Sequence, residues 1–458
     1  MMDSRRAAVG GWGRWAERPR LAVAASARPS ALVAVLLVVH AFLPYVPGSR
    51  LRADVAMGYL CALLLPWLTL KWSRVERIVM TVGVLSSAWC FIRLFPGEAK
   101  WMDKIIHFTN YSFIPLSLAT FMVWRRFLSR IEDGVVALLV ISLPINGEAL
   151  FQWADPTNAF HLQIFSLFGG ANLTDTDVGS YAEYMLVYAG RCTGIFNGMH
   201  ALGTFNVIII IFALSYAAKV SGSLRKSVLP AVAGTFAVLG GVVAASKSFY
   251  FGVAIGVGVL LVLRRMSLTN ALLIGTVTGA FGIPQLIAGS ANDTTEAYVE
   301  VAGHPTFENT LDTRYGSDGF LTPTVNALTE NVGSMLFGVG SNFGQLVMAD
   351  SAYLSTAVIG GLVLLILFFG TVLALVRALW ADYVQGSLWA GSCLAMHVAL
   401  LAIGVGIPTY QLGRLTPLAA IMTFWALHDW LPEAAKLKAS EVTVTLSGGE
   451  TADQPLSS

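Results

Sequence analysis

The chain has 458 residues, of which 55% are hydrophobic and only 12% charged. Soluble chains average about 25% charged residues, so these values, with a mean hydropathy of +0.67, exclude an ordinary soluble domain and indicate an all-α polytopic membrane protein. The formal net charge of +2 gives no indication of a nucleic-acid partner, because the charges are segregated by side rather than pooled.

Residues 1–30 form a basic segment with arginines at 5, 6, 14, 18, 20 and 28. The apolar run from Ala31 ends in Pro44 and Pro47 without a small-residue cleavage site, so it reads as a first span with signal-anchor character rather than a removed signal peptide. A span needs about 20 mostly apolar residues. On that criterion the region 31–430 contains twelve, at 31–47, 53–70, 75–95, 105–124, 134–153, 199–218, 228–246, 248–263, 267–289, 351–376, 387–407 and 410–430. The pair at 228–263 is separated by so little that it forms either a tight hairpin or a short re-entrant turn.

Lysine and arginine accumulate in cytoplasmic connections. Placing both termini in the cytoplasm leaves only Arg50, Arg52, Arg93, Lys100, Lys104, Arg191, Lys247, Arg314 and Arg414 of the 29 basic residues facing outward. Two long loops then lie outside, 154–198 and 290–350, both expected to be partly helical. The first contains Phe160 to Phe168, apolar enough to lie in the membrane interface, and then a polar stretch from Asn172 to Ser180. The second carries Asp293, Glu296, Glu300, Glu308, Asp312, Asp318, Glu330 and Asp350 against a single basic residue, Arg314. Loops beyond about 15 residues are unusual unless functional or disordered. The tail 431–458 is polar, rich in Ser, Thr and Gly, and expected to be disordered in the cytoplasm. Of four cysteines, Cys61, Cys90 and Cys393 fall in expected spans and Cys192 beside an outer segment, so no disulfide framework is expected.

The residues able to carry chemistry cluster at the outward ends of spans. Arg191 heads the run Arg191-Cys-Thr-Gly194-Ile-Phe-Asn197-Gly198-Met-His200-Ala-Leu-Gly203 before the sixth span. Its guanidinium suits phosphate through forked donors; the plainer reading is an interfacial arginine beside a Gly-Asn turn. Lys247 sits in Ser246-Lys247-Ser248, and Arg414 near the start of the last span; each is equally readable as a lipid-headgroup contact. Arg314 lies between Asp312 and Asp318, either of which would pair with it on a solvated loop. His304, in Gly303-His304-Pro305, suits a turn more than a base. Glu148 is the carboxylate set well inside a span, and acids inside membranes are functional candidates by default. Asp175-Thr-Asp177 matches a divalent-metal pattern of nucleotide-sugar enzymes, but nucleotide sugars are cytoplasmic and this loop is expected outside, so no metal site is expected.

The segment Leu336-Phe-Gly338-Val-Gly340-Ser-Asn342-Phe343, followed by Asp350-Ser-Ala-Tyr353-Leu354 and Gly360-Gly361-Leu362, resembles the signature region of the O-antigen ligase/O-antigen polymerase superfamily. Arg191-Cys-Thr-Gly-Ile-Phe-Asn and Ser246-Lys247-Ser248 are similar to two further elements of that superfamily, and the likeness covers about 185–377. It implies a metal-independent glycosyltransferase without cofactor in the bacterial plasma membrane, which joins polyprenyl-diphosphate-linked oligosaccharide units into a surface polysaccharide or exopolysaccharide. Its partners would be that lipid-linked glycan, membrane lipid and other assembly proteins such as a flippase or a chain-length regulator. Arg191 and Arg314 would steady the departing diphosphate, with Lys247, Arg414, Glu148 and His304 around the diphosphate and glycan. Asp350 stands where ligases carry histidine, which favours a polymerase and makes Asp350 a candidate base. The spacing departs from polymerases: Arg191 to Gly203 leaves eleven intervening residues rather than ten, and Arg314 has no glycine at the corresponding place. A ligase and a lipid-linked-sugar flippase or other transporter therefore stay open. Transporters keep polar groups near mid-bilayer, whereas here only Glu148 and His397 lie deeper than the outer face.

Overall fold

A backbone in hydrocarbon must satisfy its own hydrogen bonds, which a helix does within one segment. The computed structural model follows that rule over the residues it describes, 31–44, 52–68, 70, 72–96, 101–128, 130–155, 159–168, 192–196, 198–263, 321–340 and 351–429, among which no strand occurs. Five of the described helices are long and apolar enough to cross a membrane: α3 Arg74–Leu94, α5 Ile131–Ala154, α7 Met199–Val220, α8 Leu224–Val243 and α12 Ala352–Val384. α4, Trp101–Trp124, has the length but carries His107, Thr109, Asn110 and Ser112, which lower its hydropathy. Shorter apolar helices are α1 Ala31–His40, α2 Ala53–Leu64, α9 Lys247–Val262, α13 Leu388–Ile403 and α14 Leu415–Asp429. The expected first span, 31–47, is helical only to His40 among the described residues, and the expected span 267–289 lies outside them. α6 Ala159–Phe168 occupies the apolar part of the first long loop, and α10 Thr322–Thr329 and α11 Val332–Phe337 lie in the second.

α7 is the centre. Every residue from Ala201 to Ala213 is buried, because α5, α8, α9 and α13 surround it. Such a helix is apolar on all sides, and glycines let its neighbours approach. A Cβ at Gly256 would stand 2.8 Å from Ile211 on α7. The connection 244–246 between α8 and α9 is a tight turn with Ala245 at φ 45°, which decides for the hairpin at 228–263.

The expected span 351–376 is broken within the helix. Gly361 adopts φ 66°, ψ −161° inside α12, a conformation that glycine alone adopts readily. Tyr353 stacks on Phe369 with ring centroids 4.6 Å apart, whereas a continuous helix would separate these residues by about 24 Å. The arm 352–360 therefore folds back along the arm 362–384. The turn after α11 fills the break: Val339 N donates to Val358 O at 2.8 Å, and a Cβ at Gly338 (φ 76°) would lie 2.6 Å from Gly361 N. Arg93 Nη2 donates to Gly338 O at 2.9 Å and Trp89 Nε1 to Gly360 O at 3.0 Å, tying both strands of the break to α3.

Candidate functional site

Glu148 and Gln152 lie one turn apart on α5 and share a face. Glu148 Oε1 pairs with His161 Nδ1 of α6 at 3.1 Å, and the two side chains are 9% and 1% exposed. Glu148 Oε2 is buried and has no hydrogen-bond partner among the described residues. Gln152 Oε1 accepts from Thr193 N at 3.0 Å and Gly194 N at 2.9 Å, so the turn 192–196 is seated directly on this face. Gly194 takes φ 55°, and a Cβ there would come 3.3 Å from Glu148 Oε2. Glycine thus serves both the left-handed backbone and the close approach to the carboxylate.

The same turn is held from two more sides. Cys192 N donates to Val243 O at the end of α8, at 3.0 Å. Arg414, just before α14, donates through Nη1 to Ile195 O at 3.1 Å and through Nη2 to Phe168 O, with its guanidinium 5.2 Å from the Phe168 ring centroid. Arg414 is 6% exposed, so the guanidinium expected to meet a diphosphate is engaged by protein carbonyls. Burial pushes the Cys192 thiol up to about 12, with the Glu148 charge adding to it. At neutral pH it is a thiol and no nucleophile.

A second polar group adjoins the first. His200, in the first turn of α7, bonds Ser246 Oγ through Nδ1 at 2.9 Å, and Ser246 Oγ meets Ser248 Oγ at 2.5 Å. A Cβ at Gly203 would lie 3.1 Å from Ser246 Cβ. The stretches 192–203 and 246–249, separate in the sequence, are therefore packed together. Lys247 opens α9 with its side chain exposed. Ser351, the residue after Asp350, is buried and donates to Gly404 O at 3.3 Å at the end of α13. Ile403 beside it packs on Gly252, so α9 and the start of α12 meet the same end of α13.

Of the residues singled out in the sequence, Glu148, Lys247 and Arg414 are described; Arg191, Arg314, Asp350 and His304 lie outside the described residues. His397 is a satisfied core histidine: Nδ1 meets Tyr410 Oη at 2.9 Å and Nε2 meets Thr423 Oγ1 at 2.8 Å. Sequence reasoning passed over His161, although a lone imidazole in the apolar run Phe160–Phe168 was the available signal. It also missed the buried amides Asn146 of α5 and Asn206 of α7. A Cβ at Gly240 of α8 would stand 2.8 Å from Asn146 Cγ and 3.0 Å from Asn206 Nδ2. Asn146 Oδ1 and both amide atoms of Asn206 are buried without a hydrogen-bond partner among the described residues. Among the described residues no group of three or more His, Cys, Asp or Glu is placed to hold a metal ion. No protein-family model matches the chain, and no curated protein matches its sequence.

Proposed function

We propose that this protein polymerises polyprenyl-diphosphate-linked oligosaccharide units into a surface polysaccharide at the outer face of a bacterial plasma membrane. One observation supports this reading above the others. Of the stretches that resemble the ligase/polymerase superfamily, Arg191 to Asn197 and Ser246 to Ser248, Thr193 and Gly194 of the first are seated on Gln152, one turn from Glu148 on α5, and Ser246 of the second meets His200 and Gly203, which follow the first in sequence. That brings the Glu148 carboxylate, the 192–196 turn and the start of α9 with the exposed Lys247 toward one end of the bundle.

The reaction needs those groups. An acceptor hydroxyl attacks the anomeric carbon of the lipid-linked glycan, and the polyprenyl diphosphate departs as an anion. Fixed cations stabilise charge that grows on the leaving group, which is the role proposed for Arg191 and Arg314, with Lys247 as a further contact to the diphosphate or glycan. A carboxylate accepts the acceptor proton; Glu148 and Asp350 are the two candidates. Twelve spans with both termini cytoplasmic complete the proposal. Reporter fusions at Ser180 should then read as external and fusions after Lys226 or Arg265 as cytoplasmic. A cytoplasmic signal at Ser180 would put Arg191 on the wrong side for this reaction.

Asn146 Oδ1 and the Asn206 amide, buried and without hydrogen-bond partners among the described residues, favour a second reading, a lipid-linked-sugar flippase, since transport pathways keep polar groups inside the bundle. Glycan profiling of a deletion strain separates the readings. A polymerase leaves single-unit products at the surface, a ligase leaves unglycosylated lipid core, and a flippase leaves lipid-linked units trapped inside. Full-length surface polymer in the deletion strain would remove the proposal.

A further inference from the structure

We infer that Glu148 Oε2 is the atom that takes the acceptor proton, and that His161 is its positioning residue. The inference rests on the polymerase reading and adds the atoms of proton transfer to it. Its basis is the asymmetry of the carboxylate. Oε1 is held by His161 Nδ1 at 3.1 Å, while Oε2 is buried and without a partner among the described residues. Buried polar atoms are nearly always satisfied, so a bare carboxylate oxygen calls for an explanation.

The surroundings supply one. The backbone facing Oε2 is Gly194, where a Cβ would come 3.3 Å from it, so on the side of the 192–196 turn only glycine backbone lies over the oxygen. In sequence, Arg191, the cation proposed for the diphosphate, directly precedes Cys192 of the turn that lies over this proposed proton acceptor. His161 orients the acceptor: its imidazole is 1% exposed, bonded to Oε1 and packed 4.8 Å from the Phe151 ring centroid. The imidazole therefore fixes the direction in which Oε2 points without itself meeting the substrate. In the step, the acceptor O–H proton passes to Oε2 and the oxygen bonds to the anomeric carbon. The bond from that carbon to the diphosphate oxygen breaks, and its electron pair leaves with the polyprenyl diphosphate.

The test uses the purified full-length protein in phosphatidylglycerol vesicles with lipid-linked repeat units extracted from the deletion strain. Donor binding is read separately by crosslinking to a benzophenone-bearing polyprenyl diphosphate. Glu148→Gln should lower the turnover of chain growth by about 10²–10⁴-fold with crosslinking unchanged. His161→Gln, which keeps a donor toward Oε1, should retain more turnover than His161→Phe, again at unchanged crosslinking. Glu148→Asp, which keeps the charge but draws it back by one methylene, should lose at least about tenfold and decides the matter if the glutamine variant does not accumulate. Turnover of Glu148→Gln or Glu148→Asp within about threefold of the native protein would overturn the assignment and leave the polymerase reading standing. Absence of elongation by the native protein would overturn the polymerase reading itself, and this assignment with it.

Discussion

Chain growth is expected to stop in Arg191→Ala while the protein still inserts at its native level. From Cys192 onward the backbone is fixed by bonds to Val243 and to Gln152. Removing one charge-stabilising contact to a departing anion typically costs about 10²–10³-fold in turnover. Arg191→Lys should recover only part of that loss, because an ammonium lacks the forked donors that meet two phosphate oxygens together. Gel profiles of surface polysaccharide, read against the amount of membrane-inserted protein, give the answer. Polymer of native length and yield from the alanine variant would return Arg191 to an ordinary interfacial arginine.

The second large effect is on stability. Arg414→Met should shift the thermal midpoint of the detergent-solubilised protein clearly downward, because it removes the donors to the Ile195 and Phe168 carbonyls. A buried group left without its partner costs about 1–3 kcal/mol, and here two carbonyls lose theirs together. Activity should fall as well, since the 192–196 turn and the end of α6 lose their common anchor. Arg414→Lys should restore part of the midpoint, as an ammonium on an unforked stem reaches one carbonyl in place of two. A methionine variant with a native midpoint and no chain growth would instead make Arg414 a substrate contact, the role expected from sequence alone.

That divergence marks where the sequence stopped being informative. Arg414 is separated from Ile195 by 219 positions and from Phe168 by 246. Nothing in its neighbourhood signals that it donates to these two carbonyls. The same holds for His161 and Glu148, whose pairing depends on how α6 lies across the end of α5. Glu148 itself was legible, because an acid in an apolar run is visible in one dimension. The stretches around Arg191 and Lys247 were legible as motifs, and their mutual packing was not.

By itself the sequence determined the all-helical class and the presence of apolar helices able to cross a membrane. Both depend on a local sum of apolar side chains and on hydrogen bonds made within one segment. Only the tertiary structure decided that α12 folds back at Gly361, since its apolar run continues unbroken on both sides of that glycine. The break needs a left-handed backbone at Gly361 and a distant partner, the Gly338–Val339 turn, docked into it. Tertiary structure likewise decided which oxygen of Glu148 is held and which is left bare, because an interaction between segments far apart in sequence is fixed by packing geometry and leaves no periodicity to read.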